Sequence, residues 1–262
     1  MNRKAQYDRD GFIRLPGLLD RDEVSTLRTE IARVAACDCT DIFHEGTAET
    51  AKIMFRMHEA DGPTASVPFR ALARSPRVLG VAQQLLGDEA LYLHHTKINT
   101  KGAIEGTIWP WHQYFGSLSR DGIAAPDLVT VMVMLDNATD FSGCLHMLPG
   151  RHRNGLVLPR WDESTPYKLW ALPPNSVRDA MTETTPVSLT GKAGDAVAFH
   201  CNLFHAPGHN LSANDRWQAY FCFNRCANRP SDVAEPRPDY VRSTNWAPLP
   251  VEDTPVSASA GR

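Results

Sequence analysis

Two histidines, a tyrosine and an arginine stand where this chain could do metal chemistry. His112 and Tyr114 lie in WPWHQYFG, His205 in LFHAPGHN, and Arg216 opens RWQAYFCFN. Two imidazoles and one carboxylate on one face of a metal ion leave positions for a 2-oxo acid and O2, the need of a non-haem iron oxygenase, and His112 and His205 are candidates for the two imidazoles. A guanidinium on the following strand suits the far carboxylate of that 2-oxo acid, because its planar fork grips both oxygens. His95, Lys97 and Asn99 share one face of the extended stretch HHTKINT. Each has a plainer reading. A histidine after tryptophans is more often packed in a core, Lys97 a solvated charge, Asn99 a strand-end hydrogen bond and Arg216 a turn cap in SANDRW. His200 and His209 compete with His205, and spacing alone does not choose between them.

The elements that position these residues are legible in outline. Asp20 with Glu23 three residues on offers a capping box, and Val24, Leu27, Ile31 and Val34 follow at helical spacing. A second helix is expected from Pro76, suited to a first turn, to Gly87, suited to a C-terminal cap. From Leu91 the pattern changes to short apolar runs bounded by turn residues: LYLHHTKINT, DLVTVMVML, GDAVAFHCNLFH and WQAYFCFN. Helices followed by strands without βαβ alternation predict an α+β, mainly β chain built round a jelly roll, that is a double-stranded β-helix. One catalytic domain over 1–262 is expected, with a helical part at about 20–90, a barrel at about 91–229 and an irregular tail at about 230–262. The stretch 156–186 reads as a long inter-strand insertion and substrate lid, and the end SASAGR as disordered.

Composition excludes several classes. A chain of 262 residues, 42% hydrophobic, buries a sizeable core. With 27 basic and 30 acidic residues, a net charge of −3 and no basic stripe, nucleic acid is not an expected partner. The start MNRKAQYDRDGF has no apolar signal region, and no window has the apolar length of a membrane span, which predicts a cytoplasmic protein without a membrane partner. Six scattered cysteines are expected as free thiols. Cys222 and Cys226 do not read as a zinc half-site, because Cys222 alternates with aromatics in a strand pattern.

Five segments in order, YDRDGFIRLPGLLDRDEV, HHTKINTKGAIEGTIWPWHQYFGSLSRDG, LDNATDFSGCLHMLPGRHR, GDAVAFHCNLFHAPGHNLSANDR and the strand after it, resemble the phytanoyl-CoA dioxygenase-like family and its ectoine hydroxylase-like branch over roughly residues 7 to 229. The resemblance implies an iron(II) enzyme that consumes 2-oxoglutarate and O2 to oxidise a small-molecule substrate, with hydroxylation as the default outcome. It places the iron on His112 and His205 and the co-substrate on Arg216, Lys97 and Asn99, with His95 and Thr96 nearby. It makes LPGRHR a structural turn, which leaves out His146 and His152. Trp109, Trp111 and Phe115 are candidates to line the pocket.

The departure from the family pattern is at Tyr114. The family has HxD, and this chain has His112, Gln113, Tyr114. Family halogenases carry alanine or glycine there and open a site for chloride; a tyrosine fills space, so a halogenase is a poor fit. Three readings of Tyr114 stand: a tyrosinate ligand, since a cation favours the ionised form of its ligand; a ring turned aside while water, Asp121 or Asp127 completes the sphere; or a weakened metal site. The third would leave a catalytically silent member, a small-molecule binding protein or a non-oxidative enzyme. Substrate identity and oligomeric state leave no mark in the sequence.

Overall fold

The structure, a computed structural model, describes residues 2–45, 50–104, 108–164 and 167–257. Helix α1 (Arg3–Asp10) is started by the Asn2 side chain, which accepts from the amides of Lys4 and Ala5, and stopped by Gly11 at φ 82°. A side chain at Gly11 would come within 2.5 Å of the His152 ring, so both the conformation and the space require glycine. Strand β1 (Phe12–Leu15) leads to α2 (Arg21–Ala35), where the expected capping box forms: Asp20 accepts from the Glu23 amide and Glu23 from the Asp20 amide. Val24, Leu27, Ile31 and Val34 are buried on one face of α2. Strands β2 (Ile42–Glu45) and β3 (Thr50–Phe55) and helix α3 (Val67–Arg74) follow. The helix expected from Pro76 begins as a wide π-helical turn, Pro76–Gly80, and continues as α4 (Val81–Leu86) to the Gly87 cap at φ 66°.

The remaining elements are β4 (Leu91–Lys101), α5 (Phe115–Leu118), β5 (Leu128–Met134), β6 (Leu145–Met147), β7 (Arg160–Asp162), β8 (Leu169–Ala171), α6 (Pro174–Glu183), β9 (Val187–Leu189), β10 (Ala196–His200), β11 (His205–Pro207) and β12 (Arg216–Arg225). A seven-stranded antiparallel sheet runs β1-β10-β5-β12-β4-β3-β2, and a smaller one runs β11-β6-β9. From β5 onward the chain crosses from the large sheet to the small one at β6, returns between β9 and β10, crosses again at β11 and ends in the large sheet at β12. That winding is a double-stranded β-helix, the jelly roll expected from the sequence.

Alternation on the large sheet separates two cores. Val129, Val131, Val133, Ala219, Phe221 and Phe223 face the N-terminal helices, packing with Leu27, Ile31, Leu72 and Leu79. Leu128, Met132, Met134, Phe199, Tyr220 and Cys222 face the barrel interior with Leu145 and Met147. Being buried on both sides, β5 and β12 read as nearly continuous apolar runs. Strands β2 and β3 lie in the part expected to be helical, at about 20–90, and β1 precedes it. FIRL, IFHE and TAKIMF are too short for a period to declare itself, and pairing with β10, with β4 and with each other makes them strands.

The insertion carries the β7–β8 hairpin and α6, and its Leu172 amide bonds to the Trp111 carbonyl at 2.8 Å. The tail after Asn228 is irregular, yet it is docked: the Leu249 amide bonds to Leu91, the Glu252 amide to Arg74, and Val256 is fully buried. The end expected to be disordered lies, from position 258, outside the described residues. All six cysteines are free thiols. Among the described residues no helix is long and apolar enough to cross a membrane.

Candidate active site

His112 and His205 meet as an isolated antiparallel bridge, each amide bonding the other's carbonyl at 3.0 and 3.1 Å. Their ring centroids are 4.1 Å apart. His112 Nδ1 lies 2.9 Å from the Pro110 carbonyl and His205 Nδ1 2.9 Å from the Leu203 carbonyl. A carbonyl oxygen can only accept, so each Nδ1 carries the proton and each Nε2 keeps its lone pair. His205 Nε2 is buried without a hydrogen-bond partner among the described residues. Burial holds His112 at about 4 and His205 well below its ordinary value, so both rings are neutral, the form that binds a metal.

Tyr114 adjoins this pair, two residues after His112, although the backbone there is no longer extended. The backbone has already turned helical at Tyr114 (φ −60°, ψ −37°) to start α5, yet its ring still lies 5.6 Å from that of His112 and meets His205 edge-on at 4.5 Å. Burial pushes its phenol well above the ordinary value of 10. Neither carboxylate weighed as a substitute is free to join. Asp121 is fully buried, receiving Arg237 and lying 3.0 Å from His94 Nε2, while Asp127 lies 3.9 Å from Arg225 and is half-exposed. Among the described residues no Asp, Glu or Cys clusters with the two imidazoles at metal-binding spacing; the cluster that meets this test is Asp140, Cys144 and His146.

A polar row crosses the barrel interior beside the pair. Opposed residues of antiparallel strands share a face, and β4 and β12 set Lys97 against Tyr220, Asn99 against Gln218 and Lys101 against Arg216. Arg216 is buried; its guanidinium donates to Gln218 and, at 2.9 Å, to the Gly143 carbonyl, while its Nε has no partner. No carboxylate pairs with it among the described residues, an arrangement that is costly unless an anion completes it. Asn99 Oδ1 and Gln218 Nε2 are also buried without partners. Lys97 Nζ stands over the rings of Trp109, Tyr114 and Tyr220 at 5.3, 4.9 and 5.3 Å, and burial lowers its amine to about 7. Thr96 alternates to the other face, where its hydroxyl meets His58 at 2.9 Å.

His112, Tyr114, Lys97, His95 and Trp109 line a cavity of about 50 Å³. Beyond it opens a vestibule of about 820 Å³, and Ser117, Tyr167, Leu169 and Arg237 line both. Trp111 and Phe115 do not line the cavity; they pack into separate apolar clusters. His200 turns toward Tyr7 and His152, and His209 Nδ1 sits against the Asn210 carbonyl, so neither competes with His205. Arg237 carried no sign of a role in the sequence. It comes from the irregular tail, and only the fold brings it to Asp121, itself on the turn after α5.

Two imidazoles with free Nε2 atoms fit an iron ion, and the unpaired buried guanidinium with its orphaned neighbours fits a dicarboxylate; Tyr114 is where the donor set departs. Residues 7–217 match the model of the family Phytanoyl-CoA dioxygenase (PhyH). The chain is 32% identical to an L-proline trans-4-hydroxylase of Streptomyces griseoviridis, over 95% of this chain and 94% of that one. It is 30% identical to an ectoine dioxygenase of Nocardia farcinica, over 94% and 85%. Its structure superposes on EctD from S. alaskensis, solved with 2-oxoglutarate and 5-hydroxyectoine, with a TM-score of 0.83 and 29% identity, over 97% of this chain and 87% of that one. The same protein with bound Fe gives 0.83 at 28% identity. In fold, in sequence over nearly its whole length and in enzyme class, the chain belongs to the phytanoyl-CoA dioxygenase family of iron- and 2-oxoglutarate-dependent dioxygenases.

Proposed function

We propose that the chain acts as one catalytic domain that oxidises a small molecule, by hydroxylation as the default outcome, at an iron(II) held by His112 and His205. The observation that carries this reading is the matched pair of Nδ1–carbonyl contacts, which leaves two neutral Nε2 donors on rings 4.1 Å apart. Iron bound there would couple decarboxylation of 2-oxoglutarate by O2 to oxidation of a substrate C–H bond, one oxygen atom entering succinate and the other the substrate. The protein's own work is placement. Arg216 receives the far carboxylate of 2-oxoglutarate, Lys97 and Asn99 flank it from β4, and the insertion supplies Tyr167 and Leu169 as cover that limits water. Tyr114 fills the space of the missing carboxylate as a neutral phenol.

The relatives named above are hydroxylases and dioxygenases of proline and ectoine, which supports a small-molecule substrate. Succinate release from 2-oxoglutarate with iron(II), with and without candidate substrates, tests the reading. A second reading, a binding protein or non-oxidative enzyme in the same cavity, is favoured by one observation: no carboxylate joins the two imidazoles among the described residues. Tight 2-oxoglutarate binding without succinate under any condition would select it.

A further inference from the structure

On the outer face of the small sheet, donors of different kinds converge. Leu145 and Met147 point into the barrel, so His146, between them on β6, points outward, and Ser188 stands opposite it on β9. The Ser188 hydroxyl lies 3.2 Å from His146 Nδ1 and also bonds Asp140. Cys144, just after the turn that leads into β6, sets its Sγ 3.7 Å from Asp140 Oδ1. One donor atom each of Asp140, Cys144 and His146 lie within 4.8 Å of one another.

The backbone sets these donors in place. The Thr139 amide bonds the Ser142 hydroxyl at 2.8 Å, the Ser142 amide bonds the Thr139 hydroxyl at 3.1 Å, and the Cys144 amide bonds the Thr139 carbonyl at 3.2 Å. Gly143 has φ 72°, and a side chain there would come within 2.6 Å of the Gly208 carbonyl, so the turn packs directly on the chain leaving β11. A thiolate, an imidazole and one carboxylate make a mixed donor set that suits zinc, whereas calcium and magnesium take oxygen donors. Bonds of about 2.0–2.3 Å round a tetrahedral ion put donors roughly 3.3–3.8 Å apart, so the 4.8 Å spread closes by about an ångström. Asp140 is exposed and can make that movement, and its open side is the entry path to the buried Cys144.

We propose that Asp140, Cys144 and His146 form a metal site of the zinc type, with the Ser188 hydroxyl or a water in the fourth position. It shares no residue with the His112–His205 pair and does not depend on the oxygenase reading. Its place gives it a task. The carbonyl of Gly143, the residue before Cys144, receives the Arg216 guanidinium at 2.9 Å, so an ion on Cys144 braces the turn that seats Arg216.

The test is a titration of the full chain, free of 2-oxoglutarate, with cobalt(II), a zinc surrogate whose bond to thiolate sulfur gives a near-ultraviolet charge-transfer band that imidazole ligation does not. A saturating thiolate band is expected, bleached by added zinc(II) and retained in His112→Ala, which disables the other pair of imidazoles. Cys144→Ser should abolish the band. Asp140→Asn should weaken cobalt(II) binding on the order of tenfold or more while the unfolding midpoint without metal holds, and because Asp140 is exposed this variant reads the site even where Cys144→Ser fails to fold. No thiolate band in the parent chain, a band that survives Cys144→Ser, unchanged affinity in Asp140→Asn, or a band lost in His112→Ala overturns the proposal. Because no turnover is read, absence of succinate release would sink the oxygenase reading and leave this one standing.

Discussion

At the scale of single residues, Tyr114 and Arg216 decide most. The Tyr114 and His205 rings meet edge-on with centroids 4.5 Å apart, which packs the phenol side chain against the second imidazole. Tyr114→Asp is expected to restore a carboxylate beside two imidazoles and raise iron(II) affinity and uncoupled 2-oxoglutarate turnover; Tyr114→Phe should leave iron affinity unchanged. A loss of affinity in the phenylalanine variant, with loss of a visible charge-transfer band in the oxidised protein, would instead identify a tyrosinate ligand. Arg216→Leu should weaken 2-oxoglutarate by several kcal/mol, on the order of 2–5, because the far carboxylate is left buried and unpaired; a calorimetric titration showing parental affinity would remove Arg216 from the site. His112, His205 and Arg216 were singled out through the resemblance of the five segments to the family, since spacing alone did not choose His205 over His200 and His209. Arg237 was not, since a proline-rich tail carries no period and its contact with Asp121 exists only once the barrel has formed.

Among the elements, those with strong local signals were readable and those made by pairing were not. The Asp20–Glu23 box declares α2 in four residues, and Glu23 also receives Arg77 at 2.8 Å, tying α2 to the turn that precedes α4. Asp20→Ala should cost about 1 kcal/mol in urea unfolding, with site binding unchanged; a neutral result would mean that packing of Leu27 and Ile31 alone holds the helix start. Strands β4, β5, β10 and β12 showed as apolar runs, but alternation did not say which face was the barrel interior. That follows from the register that sets Lys97, Asn99 and Lys101 against Tyr220, Gln218 and Arg216. β1 and β3 gain their strand character from β10 and β4, far along the chain, a source that no local pattern can reveal.

Across the whole molecule, buried titratable groups make the fold sensitive to acid. Burial lowers His58 to about 3, even with Glu59 3.4 Å from its Nε2, and His200 to about 4. Both are neutral when folded and gain a proton when unfolded below 6.5, so the unfolded state binds more protons and stability falls as pH drops from 6.5 toward those values. Burial would raise Asp121, but His94 and Arg237 hold it well below 3.8, so its contribution is complete above that pH and is lost further down. The unfolding temperature should therefore decline from about pH 6.5, and His58→Gln should flatten the first part of the decline; an unchanged slope would show that His58 is protonated in the fold. The jelly roll and its family were visible in the order of five segments, whereas the depth of the site depends on an insertion and a tail whose contacts span the chain. His112 and His205 are expected to bind iron(II) together with 2-oxoglutarate. Anaerobic titration of iron(II) into the chain with 2-oxoglutarate should give a single saturating visible charge-transfer band of a chelated 2-oxo acid, abolished by His112→Ala and by His205→Ala in proteins that still fold. No band in the parent chain, or a band that survives either substitution, would contradict it.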